Sequence, residues 1–155
     1  SLWLDHLCTP PKLYPFVWPC GPLDFDRFDA AAAYLEGTHD FAALQNAGTP
    51  HKSTVRTLSS ITRTPARNKS QALPEGCLQV DVRFEADGFL KQMVRNLTGL
   101  MVACGRGKFA PEDIPALLAS RDRRRAPFTA PPQGLTMTQI WYDGEPRPEG
   151  WVGGD

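Results

Sequence analysis

Between residues 78 and 104 the spacing of apolar side chains changes period, and that change restricts the fold more than any other feature of the chain. Leu78, Val80, Val82 and Phe84 alternate with Gln79, Asp81, Arg83 and Glu85. This is the period of a strand with one buried face. Asp87-Gly88 breaks the alternation. Beyond it Phe89, Met93, Leu97, Leu100, Met101 and Cys104 recur every three or four residues, which predicts an amphipathic helix over 89–104 ended by Gly105. A half-buried strand running into such a helix implies a mixed architecture, a sheet covered by helices.

The flanking segments extend this pattern. Residues 9–22 hold too many prolines for a helix, so residues 1–22 read as an extended connector whose Tyr14, Phe16 and Trp18 cover the domain. Asp24 or Asp26 can cap a helix carrying Phe28, Ala31, Ala32 and Leu35 on one face, and Gly37 can end it. His39-Asp40-Phe41 opens a short turn through Leu44. Residues 54–64, rich in Thr, Val, Ile and Ser, read as a strand, and 65–76 as a polar loop. Pro111 starts a further helix with Ile114, Leu117 and Leu118 facing inward. An arginine-rich turn, Arg121–Arg125, leads through Thr129-Ala130-Pro131 to a last alternating strand, Leu135 to Tyr142. The tail, 144–155, is rich in Gly, Pro and Glu. The order α–β–β–α–α–β predicts one α+β domain over 23–143, a mainly antiparallel sheet of three or four strands with helices packed on one face.

Several function classes fall away on composition. No apolar run approaches the ~20 residues that cross a bilayer, and the start of the chain has no signal-peptide pattern. Cys8, Cys20, Cys77 and Cys104 share no CxxC spacing, and His6, His39 and His51 do not fall at helical spacing with one another. No zinc site or disulfide framework is expected, and a reduced intracellular protein is. Neither a Gly-x-Ser-x-Gly elbow nor a phosphate-cradling Gly-x-x-x-x-Gly-Lys loop occurs. Net charge is zero, yet residues 51–125 hold fourteen basic and seven acidic side chains. Such a surplus suits a polyanion if the charges share a face, and suits plain solvation if they do not.

Arg95 is the residue whose setting asks for an explanation. It sits beside Asn96 among Met93, Val94 and Leu97, early in the helix, and Lys91 and Gly99 one turn away supply no carboxylate. A guanidinium there either snorkels to water or needs an acid from elsewhere in the structure or from a substrate.

The run Phe89-Leu-Lys-Gln-Met-Val-Arg-Asn-Leu-Thr-Gly99 resembles the helix motif of the TruA-type tRNA pseudouridine synthases. Four other segments continue the resemblance in the same order: Leu35-Glu-Gly-Thr-His-Asp-Phe41, Thr54-Val-Arg-Thr-Leu58, Gly105-Arg-Gly-Lys108 with the helix ending Leu117-Leu118, and Asp122-Arg123 followed by Thr129-Ala130-Pro131 and Gly134-Leu135. Together they span roughly residues 14–143.

The resemblance implies one lobe, the carboxy-terminal one, of a two-lobed fold with its active cleft between lobes. It implies isomerisation of uridine to pseudouridine in tRNA by an aspartate of the other lobe, paired with an arginine that matches Arg95. It makes tRNA and the absent amino-terminal lobe the expected partners, leaves a homodimer open, and implies no metal or organic cofactor. His39, Asp40, Arg56, Lys91, Asn96, Arg121, Arg123, Arg124, Arg125, Thr129, Ala130 and Pro131 become candidate cleft or RNA contacts. Within that set, Asp40 reads as a turn cap, Arg56 as facing RNA or solvent, and Arg123 as paired locally with Asp122 or a backbone carbonyl. Thr129-Ala130-Pro131 reads as a rigid turn holding the last strand. The family's Arg-Thr-Asp and Arg-x-Tyr segments are absent from these residues, and Thr136 stands where an aromatic is usual. This chain alone is therefore expected to be inactive, with a non-catalytic RNA-binding module of the same fold as the alternative.

Overall fold

The computed structural model describes residues 1–4, 14–46, 48, 53–65 and 79–142. Five strands form one sheet: β1 (Leu2–Trp3), β2 (Trp18–Pro19), β3 (Gly37–Asp40), β4 (Val55–Pro65) and β5 (Gln79–Ala86). Their spatial order is β2-β1-β5-β4-β3, antiparallel throughout except for β1 beside β2. The α+β layer expected from the sequence is present. Its sheet is wider than expected because the proline-rich amino-terminal segment supplies two short strands rather than only a covering connector. Leu2 and Trp3 are buried, and Leu2 pairs with Val80 inside the sheet. Two-residue strands have too few side chains to show a period, so pattern alone passes over them.

In β4 and β5, directly paired residues share a face. Leu58, Ile61 and Arg63 oppose Ala86, Phe84 and Val82; the apolar members join the core, while the Arg63 guanidinium lies over the Phe25 ring and pairs with Asp29. Leu58 and Ile61 lie three apart, which an even alternation would put on opposite faces. A bulge between Leu58 and Ser60 restores both to the core side.

Three α-helices, among the described residues, cover that face: α1 (Phe25–Leu35), α2 (Met93–Gly105) and α3 (Ile114–Ser120). Asp24 caps α1 through its carboxylate, which accepts from the amides of Asp26 and Arg27, and Phe28, Ala31, Ala32 and Leu35 are its buried residues. Gly37, at φ +99°, turns the chain straight into β3. The Arg27 guanidinium donates to the Cys104 carbonyl at the carboxy end of α2, where a cation is favoured.

Four expectations are corrected. The helix foreseen over 89–104 begins at Met93, because Gln92 is left-handed (φ 59°) and Asn46 bonds both the Lys91 carbonyl and the Gln92 side chain. Its left-handed stop is Gly107, at φ +69°, while Gly105 is a buried helical residue lying against the Asp24 carbonyl. The last strand is not formed. Residues 135–142 lie outside the sheet, with Leu135, Met137, Ile140 and Tyr142 all exposed. Alternation marks a segment suited to pairing, but a strand needs a neighbour's backbone. Phe16, expected to cover the domain, is exposed, whereas Trp18 packs edge-on against Phe128, ring centroids 5.9 Å apart. The polar loop after Pro65, residues 77–78, His6, Cys8, His51 and the tail lie outside the described residues.

Candidate functional site

A groove of about 850 Å³ opens between β5, the start of α2 and residues 130–139. Asp81, Arg83, Phe89, Arg95, Pro131 and Met137 are among its walls. Arg95 is half-buried, early in α2, so its side chain is neither sealed in the core nor loose in solvent. Its Nε donates to the Ala130 carbonyl at 2.7 Å, and the Ala130 amide donates back to the Arg95 carbonyl at 3.0 Å. Among the described residues this is the hydrogen bond its guanidinium makes, and no carboxylate there forms an ion pair with it.

Immediately behind Arg95, Asn96 is 2% exposed and fully engaged. Its Nδ2 donates to the Leu44 carbonyl at 2.8 Å and to Asn46 Oδ1 at 3.1 Å. Its Oδ1 accepts from Arg123 Nη2 at 3.0 Å and from the Thr129 hydroxyl at 2.7 Å. Arg123 also donates from Nη2 to Thr129 Oγ1 and from Nη1 to the carbonyls of Pro127 and Ala126. A buried side-chain amide is stable only when its donors and acceptor are met, and here they are. Arg123 thus takes the backbone-carbonyl partner that the sequence reading allowed, and Asp122 goes elsewhere. Burial pushes the Arg123 guanidinium below its ordinary value, since the groups facing it are neutral dipoles.

The arginine cluster therefore divides. Arg121 Nε pairs with Asp40 Oδ2 at 2.8 Å, its side chain 70% exposed. Arg124 forks onto its neighbour Asp122, whose carboxyl is lowered by that contact. Arg125 is exposed. Asp40 caps the turn after β3 by accepting from the Ala42 amide at 3.0 Å, as expected, and also accepts from Thr54 Oγ1 at 2.5 Å. The Thr54 hydroxyl does most to hold the Asp40 carboxyl below its usual range; water screens the more exposed Arg121, which contributes less. His39 bonds the Glu36 carbonyl at 2.9 Å and stands edge-on to Phe41. Arg56 Nη1 folds back onto the Ser53 and Val55 carbonyls. Lys91 is exposed just before α2.

Of the expected site residues, Arg95, Ala130 and Pro131 meet at the groove. Asn96, Arg123 and Thr129 converge behind it as one hydrogen-bonded knot, not as solvent-facing contacts. His39, Asp40 and Arg121 gather near the turn after β3. Sequence reasoning passed over Gly99. A Cβ there would lie 2.0 Å from the Phe128 carbonyl oxygen, so only glycine lets residues 128–130 lie on α2. A glycine inside an otherwise sound amphipathic helix was the available signal.

Cys20 and Cys104 are free and buried, their thiols pushed up to about 11 by desolvation. Among the described residues no cluster of His, Cys, Asp or Glu could hold a metal ion. No helix among them is long and apolar enough to cross a membrane.

Residues 31–143 match the family model described as tRNA pseudouridine synthase. The chain is 47% identical over 159 residues to the tRNA pseudouridine synthase A of Nitratidesulfovibrio vulgaris strain Miyazaki F, covering 91% of this chain and 57% of that protein. It is 50% identical over 145 residues to that of Lawsonia intracellularis, covering 91% and 54%. The counterpart in Chlamydia trachomatis serovar A is 40% identical over 129 residues, covering 83% and 43%. The chain belongs to the tRNA pseudouridine synthase family. It spans about half the length of the relatives it matches.

Proposed function

We propose that the protein completed by the remaining half of its relatives' length isomerises uridine to pseudouridine in tRNA, with this chain forming one wall of the active cleft. The observation that carries the proposal is Arg95. Its Nε is held by Ala130 on a groove wall, and no carboxylate among the described residues pairs with it. A half-buried cation on that wall, its Nε already engaged, is stabilised by an acid arriving from outside the chain. In this reading the acid is the reacting aspartate of the other lobe. Arg95 holds it ionised and oriented while the uracil detaches, rotates and rejoins through carbon.

The exposed residues 135–139, at the groove's rim, supply the surface on which that lobe docks. Arg125 and Lys91 are exposed and fit phosphate contacts, which position RNA without reading its sequence. A tRNA substrate goes with an intracellular location.

The test is tritium release from tRNA carrying 5-tritiated uridine. The full-length protein should release label, this chain alone should not, and Arg95→Ala in the full-length protein should abolish turnover while tRNA affinity persists. Full turnover by Arg95→Ala would reject the pairing role. Salt-sensitive tRNA binding without any turnover would favour the RNA-binding alternative.

A further inference from the structure

We infer that Arg123, acting with Asn96 and Thr129, is a positioning residue for Arg95, and that it does not contact RNA. The inference deepens the reading of the groove as a synthase site and rests on it for the consequence on turnover, but not for the geometry.

The Arg123 guanidinium is half-buried, and its two Nη groups point at four acceptors within the chain: the carbonyls of Ala126 and Pro127, Asn96 Oδ1 and Thr129 Oγ1, at 2.8–3.3 Å. A phosphate would have to displace these bonds, whereas Arg121 and Arg124 on either side present largely exposed forks.

The bonds run in one direction along the loop. Pro127 and Thr129 are held by Arg123, and Thr129 donates to Asn96. The next residue, Ala130, grips Arg95 at both its main chain and its Nε. Arg95 and Asn96 are neighbours on α2, so the knot ties residues 126–130 to the helix turn that carries Arg95. Gly99 removes the side chain that would otherwise hold the loop off the helix. Arg95 is thus oriented from behind by a loop whose own conformation depends on the Arg123 fork. Lysine at 123 would keep the charge and lose the fork, because an ammonium is a point donor while a guanidinium spans several fixed directions.

The inference has a readout independent of catalysis. In this chain the Arg95 Nε–H proton, assigned by its disappearance in Arg95→Lys, should be protected from exchange by Ala130. Thr129→Val, which removes the hydroxyl while keeping the shape, should abolish that protection while core amides keep theirs, and Thr129→Ser should restore it. In the full-length protein, Thr129→Val and Arg123→Lys should lower kcat by about 10²-fold, the scale of a misplaced catalytic group, with KM for tRNA unchanged. Unaltered protection in Thr129→Val overturns the inference. So does an Arg123→Lys protein with wild-type kcat, or one whose loss lies in KM and in the salt dependence of binding. If Arg123→Lys fails to fold, the Thr129 pair decides. Loss of protection in a full-length protein with no wild-type turnover upholds the positioning and defeats the synthase reading.

Discussion

Two stretches only a few residues apart border the groove, and they are built in opposite ways. Residues 126–131 are bonded to α2 through Asn96, Arg123, Thr129 and Ala130. Residues 135–142 carry Leu135, Met137, Ile140 and Tyr142 largely exposed, with Met137 at 75%, and join no strand. The first is completed by the chain's own polar groups. The second has the alternation of a strand but lies outside the sheet. Closeness along the chain therefore says little about shared packing; what matters is how far the rest of the chain covers each stretch.

The comparison is easiest to break at Gly99. Gly99→Ala forces a methyl onto the Phe128 carbonyl, which must move, and should cost about 3 kcal/mol in urea unfolding. An unfolding midpoint equal to wild type would show that the loop does not need the helix. Asn96→Ala comes next. It leaves the Leu44 carbonyl and the donors of Arg123 and Thr129 without their partner, a loss of about 2 kcal/mol by the same measurement.

A smaller effect concerns the turn ending at Leu44, whose carbonyl Asn96 uses. Asp40 anchors that turn, and its folded carboxyl lies below the ordinary 3.8. A depressed carboxyl contributes stability above the ordinary value, and that contribution is lost as pH falls through the folded one. Thr54→Val should raise the Asp40 midpoint in an NMR titration, and Arg121→Ala should raise it less. The reverse ranking would show that the exposed ion pair governs this end. At the bottom of the scale, Met137→Thr with Ile140→Thr should leave the stability of this chain within about 0.5 kcal/mol, since both side chains are already solvated. A large loss would mean that residues 135–142 are packed after all.

How much was legible in advance follows the range of the forces involved. The faces of α1 and α3 were readable because 3.6-residue spacing is local, and Phe28, Ala31, Ala32 and Leu35 are the buried residues of α1. The strand at Val80–Phe84 was readable for the same reason at period two. Arg95 stood out because a guanidinium among Met93, Val94 and Leu97 has no local acid. The knot behind it was not readable. Asn96 meets Leu44 across 52 positions and Thr129 across 33, and no spacing rule connects such distances. Arg123 looked like its neighbours Arg121, Arg124 and Arg125 until burial separated it from them.

The sequence by itself determined where the chain could turn, which faces would seek the interior, and that a cation at residue 95 would lack a nearby acid, because these depend on neighbours a few residues away. Only the tertiary structure decided that β1 enters the sheet, that 135–142 stays out of it, and that one arginine of a charged cluster becomes internal scaffolding. Each of those outcomes turns on which distant group, backbone or side chain, arrives to satisfy a hydrogen bond.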